Sequence, residues 1–155
     1  MRRTLIAGAG LMLALAVSTA VPGIAPVSAQ VPTTKPIEGV WSGEVVKEGR
    51  PVPVPMTMIV TDQPRGSRAG DIVWGAPWVC KSTLQFSGVN DKTFLLTLDS
   101  GNGPHCDSLR NGHAQVTPDG SDKAEVVIFD AKNKLVHKTR VERTARGQGA
   151  AAGPG

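Results

Sequence analysis

The feature that most constrains this chain is a series of short segments in which apolar and polar residues alternate. In the stretch "VPMTMIV", for example, Val54, Met56 and Met58 fall on one face of an extended chain. Alternation with a period of two indicates β-strands that bury one face. Eight such segments occur between residues 37 and 144, and none of this region has a convincing helical period. The chain is therefore predicted to be all-β.

The connections between these segments are mostly of hairpin length, which favours antiparallel pairing of consecutive strands. Turn sequences such as "TPDGSD" and "DAKNK" mark the connections. Eight strands are enough to close a small barrel, and closure removes exposed sheet edges. We predict an eight-stranded antiparallel up-and-down barrel, with a two-sheet β-sandwich as the alternative. The predicted strands cover 37–46, 52–60, 71–75, 79–87, 94–98, 109–116, 124–128 and 135–142.

The first 29 residues have the features of a secretory signal peptide. Arg2 and Arg3 precede an apolar run, and "VSA" supplies small residues for cleavage. An uncleaved membrane anchor is the alternative, although the run 5–21 is at the short limit for spanning a bilayer. We expect a protein secreted outside the cell or into the cell envelope. The predicted organisation is a signal peptide at 1–29, a linker at 30–36, a barrel domain at 37–144 and a disordered tail at 145–155.

Composition argues against a nucleic-acid partner. The chain has 17 Lys and Arg against 13 Asp and Glu, and two of the arginines belong to the predicted signal peptide. It has no Tyr, three Trp and three Phe, so few rings are available for stacking on bases. We expect no nucleic-acid partner, no membrane span after signal cleavage, and a monomer.

The two cysteines, Cys80 and Cys106, are predicted to form a disulfide. An even number of cysteines in an exported protein is typical of disulfide bonding. A bond between them closes a loop of 27 residues, which is worth about 3–4 kcal/mol in the chain-entropy model. It would tie the start of the fourth strand to the loop before the sixth.

The sequence offers little that suggests catalysis. His105 precedes Cys106, but a cysteine in a disulfide supplies no thiolate for nucleophilic or metal chemistry. His113 and His137 lie on different predicted strands, and a structural or rim-facing role is the preferred interpretation of His137. Nucleophile-elbow, phosphate-loop and H-E-x-x-H motifs are absent from the sequence. We expect a protein that is not an enzyme and that uses no cofactor and no metal.

Candidate binding residues come from the predicted inward face and from two loops. Trp41, Met56, Met58 and Trp74 are the candidates for lining an apolar pocket, since Trp and Met suit such sites. The same side chains could instead fill a narrow barrel completely. Trp78 and His105, in "GAPW" and "GNGPHC", are candidates for a rim surface. The predicted inward set is Trp41, Met56, Met58, Trp74, Leu84, Phe86, Phe94, Leu96, Val126, Ile128 and Leu135.

Several motifs resemble those of known small barrels. "GVWSG" resembles the Gly-x-Trp opening of lipocalin-like and avidin-like barrels, in which the Trp plugs one end. Together with "AGDIVWGAPWVCKSTLQF" (69–86), Cys106 and "RVER", it is similar to a disulfide-containing β-barrel domain of actinobacterial secreted proteins and of kinase extracellular regions. The chain departs from that pattern at Lys81 and Ser82, where glycines are usual, and at Trp74, where a Tyr is usual. The resemblance implies a disulfide-linked β-barrel and no particular activity.

Two functional hypotheses follow. The first is a non-catalytic binding module for a small apolar or cell-envelope ligand, held inside the barrel or at its mouth. The alternative is a protein–protein or cell-wall interaction module that uses the barrel rim and has a filled core.

Overall fold

The computed structural model describes residues 31–46 and 52–145. The predicted signal peptide and nearly all of the predicted tail lie outside the described residues. A single turn of 3₁₀-helix, Lys35–Ile37, precedes the strands. The remaining elements are β1 (Gly39–Val45), β2 (Val54–Val60), β3 (Arg68–Trp74), β4 (Cys80–Asn90), β5 (Thr93–Asn102), α1 (Pro104–Ser108), β6 (His113–Asp119), β7 (Lys123–Phe129) and β8 (Leu135–Ala145).

The strands form a closed barrel in which every strand is antiparallel to the next and β8 returns to β1. The predicted eight-stranded up-and-down barrel is therefore confirmed, and the two-sheet sandwich is excluded. Trp41 faces Met58 across β1 and β2, and Met56 faces Trp74 across β2 and β3. The predicted alternation thus sets the register, because a slip of one residue would turn these side chains outward.

The inward side chains of all eight strands pack into one core. Ten of the eleven residues of the predicted inward set are buried. Leu135 is the exception, because 52% of its surface is exposed. The pairing of β7 with β8 shifts register between Ile128 and Phe129, and Leu135 pairs with Phe129 beyond that shift. The prediction that Leu135 faces inward was therefore wrong.

Two ends of the barrel can be distinguished. At the lower end β1, β3, β5 and β7 begin, and at the upper end they finish and are followed by the connections to the next strands. The lower end is sealed by Trp41, whose indole Nε1 donates to the Ile37 carbonyl at 2.9 Å. The Arg143 guanidinium lies 4.1 Å from the centre of the Trp41 ring and also donates to the carbonyls of Glu38 and Pro36.

The segment before β1 is part of this seal. Thr34, in the stretch predicted as a linker, is buried, and its hydroxyl donates to the Thr61 carbonyl at 2.6 Å. The buried Nε1 of Trp41 thus has its hydrogen-bond acceptor, the Ile37 carbonyl, in the segment just before β1.

The upper end is organised by the disulfide. Cys80, the first residue of β4, is bonded to Cys106 in α1, with a Cα–Cα distance of 6.0 Å. The predicted disulfide is therefore confirmed. The short helix α1 was not anticipated, and Leu109 ends it rather than starting the sixth strand. The disulfide fixes α1 against the mouth of the barrel.

Candidate functional site at the upper rim

The upper end brings together four rings from four separate parts of the chain. Trp74 is the last residue of β3, Trp78 lies in the β3–β4 connection, His105 lies in α1 and His137 lies near the start of β8. We call these four residues the aromatic–histidine cluster. The disulfide brings His105 to this position, because Cys106 is the next residue.

The rings of the cluster are in direct contact with one another. Trp78 stacks on His105 with ring centres 3.8 Å apart and an interplanar angle of 19°. Trp74 lies 5.3 Å from His105, in an edge-to-face arrangement, and 5.2 Å from His137. Each imidazole thus touches both indoles, since Trp78 is also 5.0 Å from His137. Such aromatic contacts restrict the rotamers of the two histidines.

The two histidines also contact each other through their Nε2 atoms, which are 3.2 Å apart. One ring donates a proton to the other, and the tautomers decide which one donates. His137 is only 5% exposed and lies on the inward face of β8, whereas His105 is half-buried. A hydrogen bond between two imidazoles therefore spans α1 and β8 at the mouth of the barrel.

Two buried polar atoms, one of them in the cluster, lack a hydrogen-bond partner among the described residues. They are the indole Nε1 of Trp74 and the hydroxyl of Ser82, and both side chains are 1% exposed. The two residues face inward on the paired strands β3 and β4, where Trp74 is opposite Cys80 and Ser82 is opposite Ile72. Unpaired buried donors are uncommon in folded proteins, because most buried polar groups have a partner in the protein or in ordered water.

Around the cluster, exposed apolar side chains border the mouth. They come from the β1–β2, β3–β4 and β7–β8 ends of the strands, and we call them the upper rim. Nine large apolar side chains are exposed among the described residues, and five of them belong to the upper rim. The upper rim consists of Val46 (70% exposed), Val52 (67%), Val79 (74%), Leu135 (52%) and Val136 (36%).

The four residues predicted to bind a ligand are divided between the two ends of the barrel. Trp41 and its partner Met58 belong to the lower half, whereas Met56 and Trp74 form the corresponding pair near the mouth. All four are at most 1% exposed and pack within the core. They therefore do not line one shared cleft in this structure, and their role in binding stays a prediction.

The two residues predicted for the rim, in contrast, are brought together. Trp78 and His105 are stacked face to face, although they are separated by 27 positions in the sequence. The pairing of His105 with His137 was not anticipated. The signal for it was present in the predicted topology, because the eighth strand and the fourth strand both start at the end where the disulfide is found.

The third histidine lies apart from the cluster. His113 is on β6, stacks on Phe129 at 4.7 Å and is next to the Gln115 amide. Within the part of the chain that the structure describes, no group of three or more His, Cys, Asp or Glu side chains is arranged to hold a metal ion. No helix of that part has the length and apolar character needed to cross a bilayer.

No protein-family model, curated protein or solved structure matches this chain. The resemblance to lipocalin-like and avidin-like barrels and to the actinobacterial secreted domain therefore stays a prediction.

Proposed function

We propose that this protein is a secreted, non-catalytic binding module that docks a protein partner on its upper rim. The observation that carries the proposal is the collection of exposed aliphatic side chains around one end of a barrel whose other end is sealed. Exposed apolar groups that cluster on a folded domain are typical of interaction surfaces. The predicted export signal and the disulfide are consistent with work in an oxidising compartment.

The filled core favours the rim over the interior. Trp41, Met56, Met58 and Trp74 are packed against their neighbours, so a ligand inside the barrel would have to displace them. Protein interiors are packed as densely as organic crystals, and opening such a core is costly. Binding at the rim needs no such rearrangement.

The upper-rim residues belong to strands that are close to one another around the barrel. Leu135 and Val136 start β8, Val46 follows β1, Val52 precedes β2, and Val79 precedes β4. Because β8, β1, β2, β3 and β4 are successive neighbours in the barrel, these residues lie at neighbouring strand ends around the mouth. The half-buried Trp78 lies in the same connection as Val79 and packs against the core.

The aliphatic character of the rim favours a protein partner over a cell-wall glycan. Glycans are bound by polar groups and by the open faces of aromatic rings, whereas one face of Trp78 is occupied by His105. Aliphatic side chains beside a partly buried aromatic ring suit the apolar centre of a protein–protein interface.

Site-specific photo-crosslinking in the exporting cells tests the proposal. A photoreactive amino acid is placed at Val79 or Leu135 on the upper rim, and at Ile59 or Val89 as controls. Ile59 and Val89 are also exposed aliphatic residues, but they lie near the lower ends of β2 and β4, away from the mouth. We expect a discrete crosslinked protein from the two rim positions only. Equal crosslinking from all four positions, or none from the rim, would contradict the proposal.

A further inference from the structure

We propose that His105 and His137 form a two-histidine binding site for a divalent transition-metal ion, with Cu²⁺ the preferred ion. This inference is independent of the rim's proposed role in protein binding. It departs from the sequence-based expectation of no metal site, which treated the three histidines as unrelated.

The separation of the two nitrogen atoms fits a shared metal ion. Metal–imidazole bonds are about 2.0–2.1 Å long. Two such bonds from nitrogens 3.2 Å apart enclose an angle of about 103° at the metal, which lies between the roughly 90° of a square-planar Cu²⁺ site and the roughly 109° of a tetrahedral site. The planes of the two rings differ by 48° and the ring centres are 5.1 Å apart, so the imidazoles are inclined toward each other rather than stacked. The ion would replace the proton that the two nitrogens now share.

Both ligands are held in place before any ion binds. His137 projects from the inward face of β8 and is almost fully buried, whereas His105 stacks on the Trp78 ring and is followed by the disulfide-bonded Cys106. Trp74 contacts both imidazoles. A site whose side chains are already ordered loses less conformational entropy on binding than a flexible one.

The two imidazoles supply fewer protein ligands than a closed structural site has, which suits an exchangeable ion. A closed structural zinc site needs four protein ligands. Among the described residues, no third His, Cys, Asp or Glu joins the two histidines as a possible ligand. His105 is half-buried, so part of this ligand is in contact with solvent. For a site of two imidazoles the affinity order of divalent ions places Cu²⁺ above Ni²⁺ and Zn²⁺.

Tryptophan fluorescence provides a direct test with tag-free protein and Cu²⁺ alone. Trp74 and Trp78 are two of the three tryptophans and touch both histidines, so bound Cu²⁺ should quench most of the emission at one equivalent. His105→Gln and His137→Gln should each weaken binding by about tenfold or more, since each removes one of two ligands. His113→Gln, at the histidine outside the cluster, should bind like the wild type.

Electron paramagnetic resonance of the Cu²⁺ complex gives a second measurement that folding defects do not mimic. We expect hyperfine coupling to two imidazole nitrogens in the wild type and to one in the His105→Gln variant. Since His105 is half-buried, this variant should keep its fold even where His137→Gln does not, and a thermal melt checks it. Absence of saturable quenching in the wild type, or equal quenching in wild type and His105→Gln, would overturn the proposal.

Discussion

Removal of the Cys80–Cys106 disulfide should lower the free energy of unfolding by about 3.5 kcal/mol. The bond joins residues separated by 26 positions, and the chain-entropy model gives about 3.5 kcal/mol for a loop of this length at 25 °C. For a domain of this size, a loss of about 1 kcal/mol in the free energy of unfolding lowers the melting temperature by about 4 °C. The melting temperature should therefore fall by about 14 °C. The variant is the double substitution Cys80→Ala with Cys106→Ala, because both side chains are buried and a serine hydroxyl would need a partner.

Urea unfolding followed by far-ultraviolet circular dichroism measures this change. The slope of the free energy against urea should rise in the variant, because its unfolded chain is no longer crosslinked and exposes more surface. Reduced wild-type protein should unfold at nearly the same urea concentration as the double variant. A loss below about 1 kcal/mol with an unchanged slope would refute the reasoning. It would show that constraint of the unfolded chain by the 80–106 loop contributes little to stability.

Two further predictions concern the backbone of β3 and the lower seal. Gly70→Ala should lower the free energy of unfolding by more than about 3 kcal/mol, since the φ of +149° at this position is unfavourable for other residues and the new Cβ would collide with the Ile59 carbonyl. The control is Gly120→Ala, where φ is +77° and a new Cβ meets open space. In the same urea assay it should lower the free energy of unfolding by only about 1 kcal/mol. Trp41→Phe should lower the free energy of unfolding by about 1–3 kcal/mol because it leaves the Ile37 carbonyl without its indole donor. A change of less than about 0.5 kcal/mol, measured by thermal unfolding, would contradict that role.

The strands and their closure could be predicted from two features of the sequence, alternation and short connections. Alternating burial specified which residues face inward, and short connections left few topologies open. The alternation rule fails at strand ends, where local pairing decides the outcome. Leu135 turned outward beyond the register shift of β8, and the short helix α1 formed in a stretch too brief to show a helical period.

The candidate site could be predicted only in part. Trp78 and His105 belong to "GAPW" and "GNGPHC", the two loops predicted to form a rim surface, and the structure stacks the two rings. The contact between His105 and His137 depends on two features of tertiary structure, the barrel register and the position to which the disulfide brings α1. Neither histidine has a sequence neighbour that would indicate the other.

The closing seam between β1 and β8 has a consequence for how the chain folds. Hydrogen-bonded partners across the seam, such as Val40 and Thr144, are 104 positions apart in the chain. Folding rates fall as contacting residues become more distant in sequence, and barrels dominated by distant pairs fold in milliseconds to seconds. The seam cannot form until β8, the last strand, is available to pair with β1. Closure of the barrel is therefore expected to be a late step, after the hairpins between consecutive strands have formed.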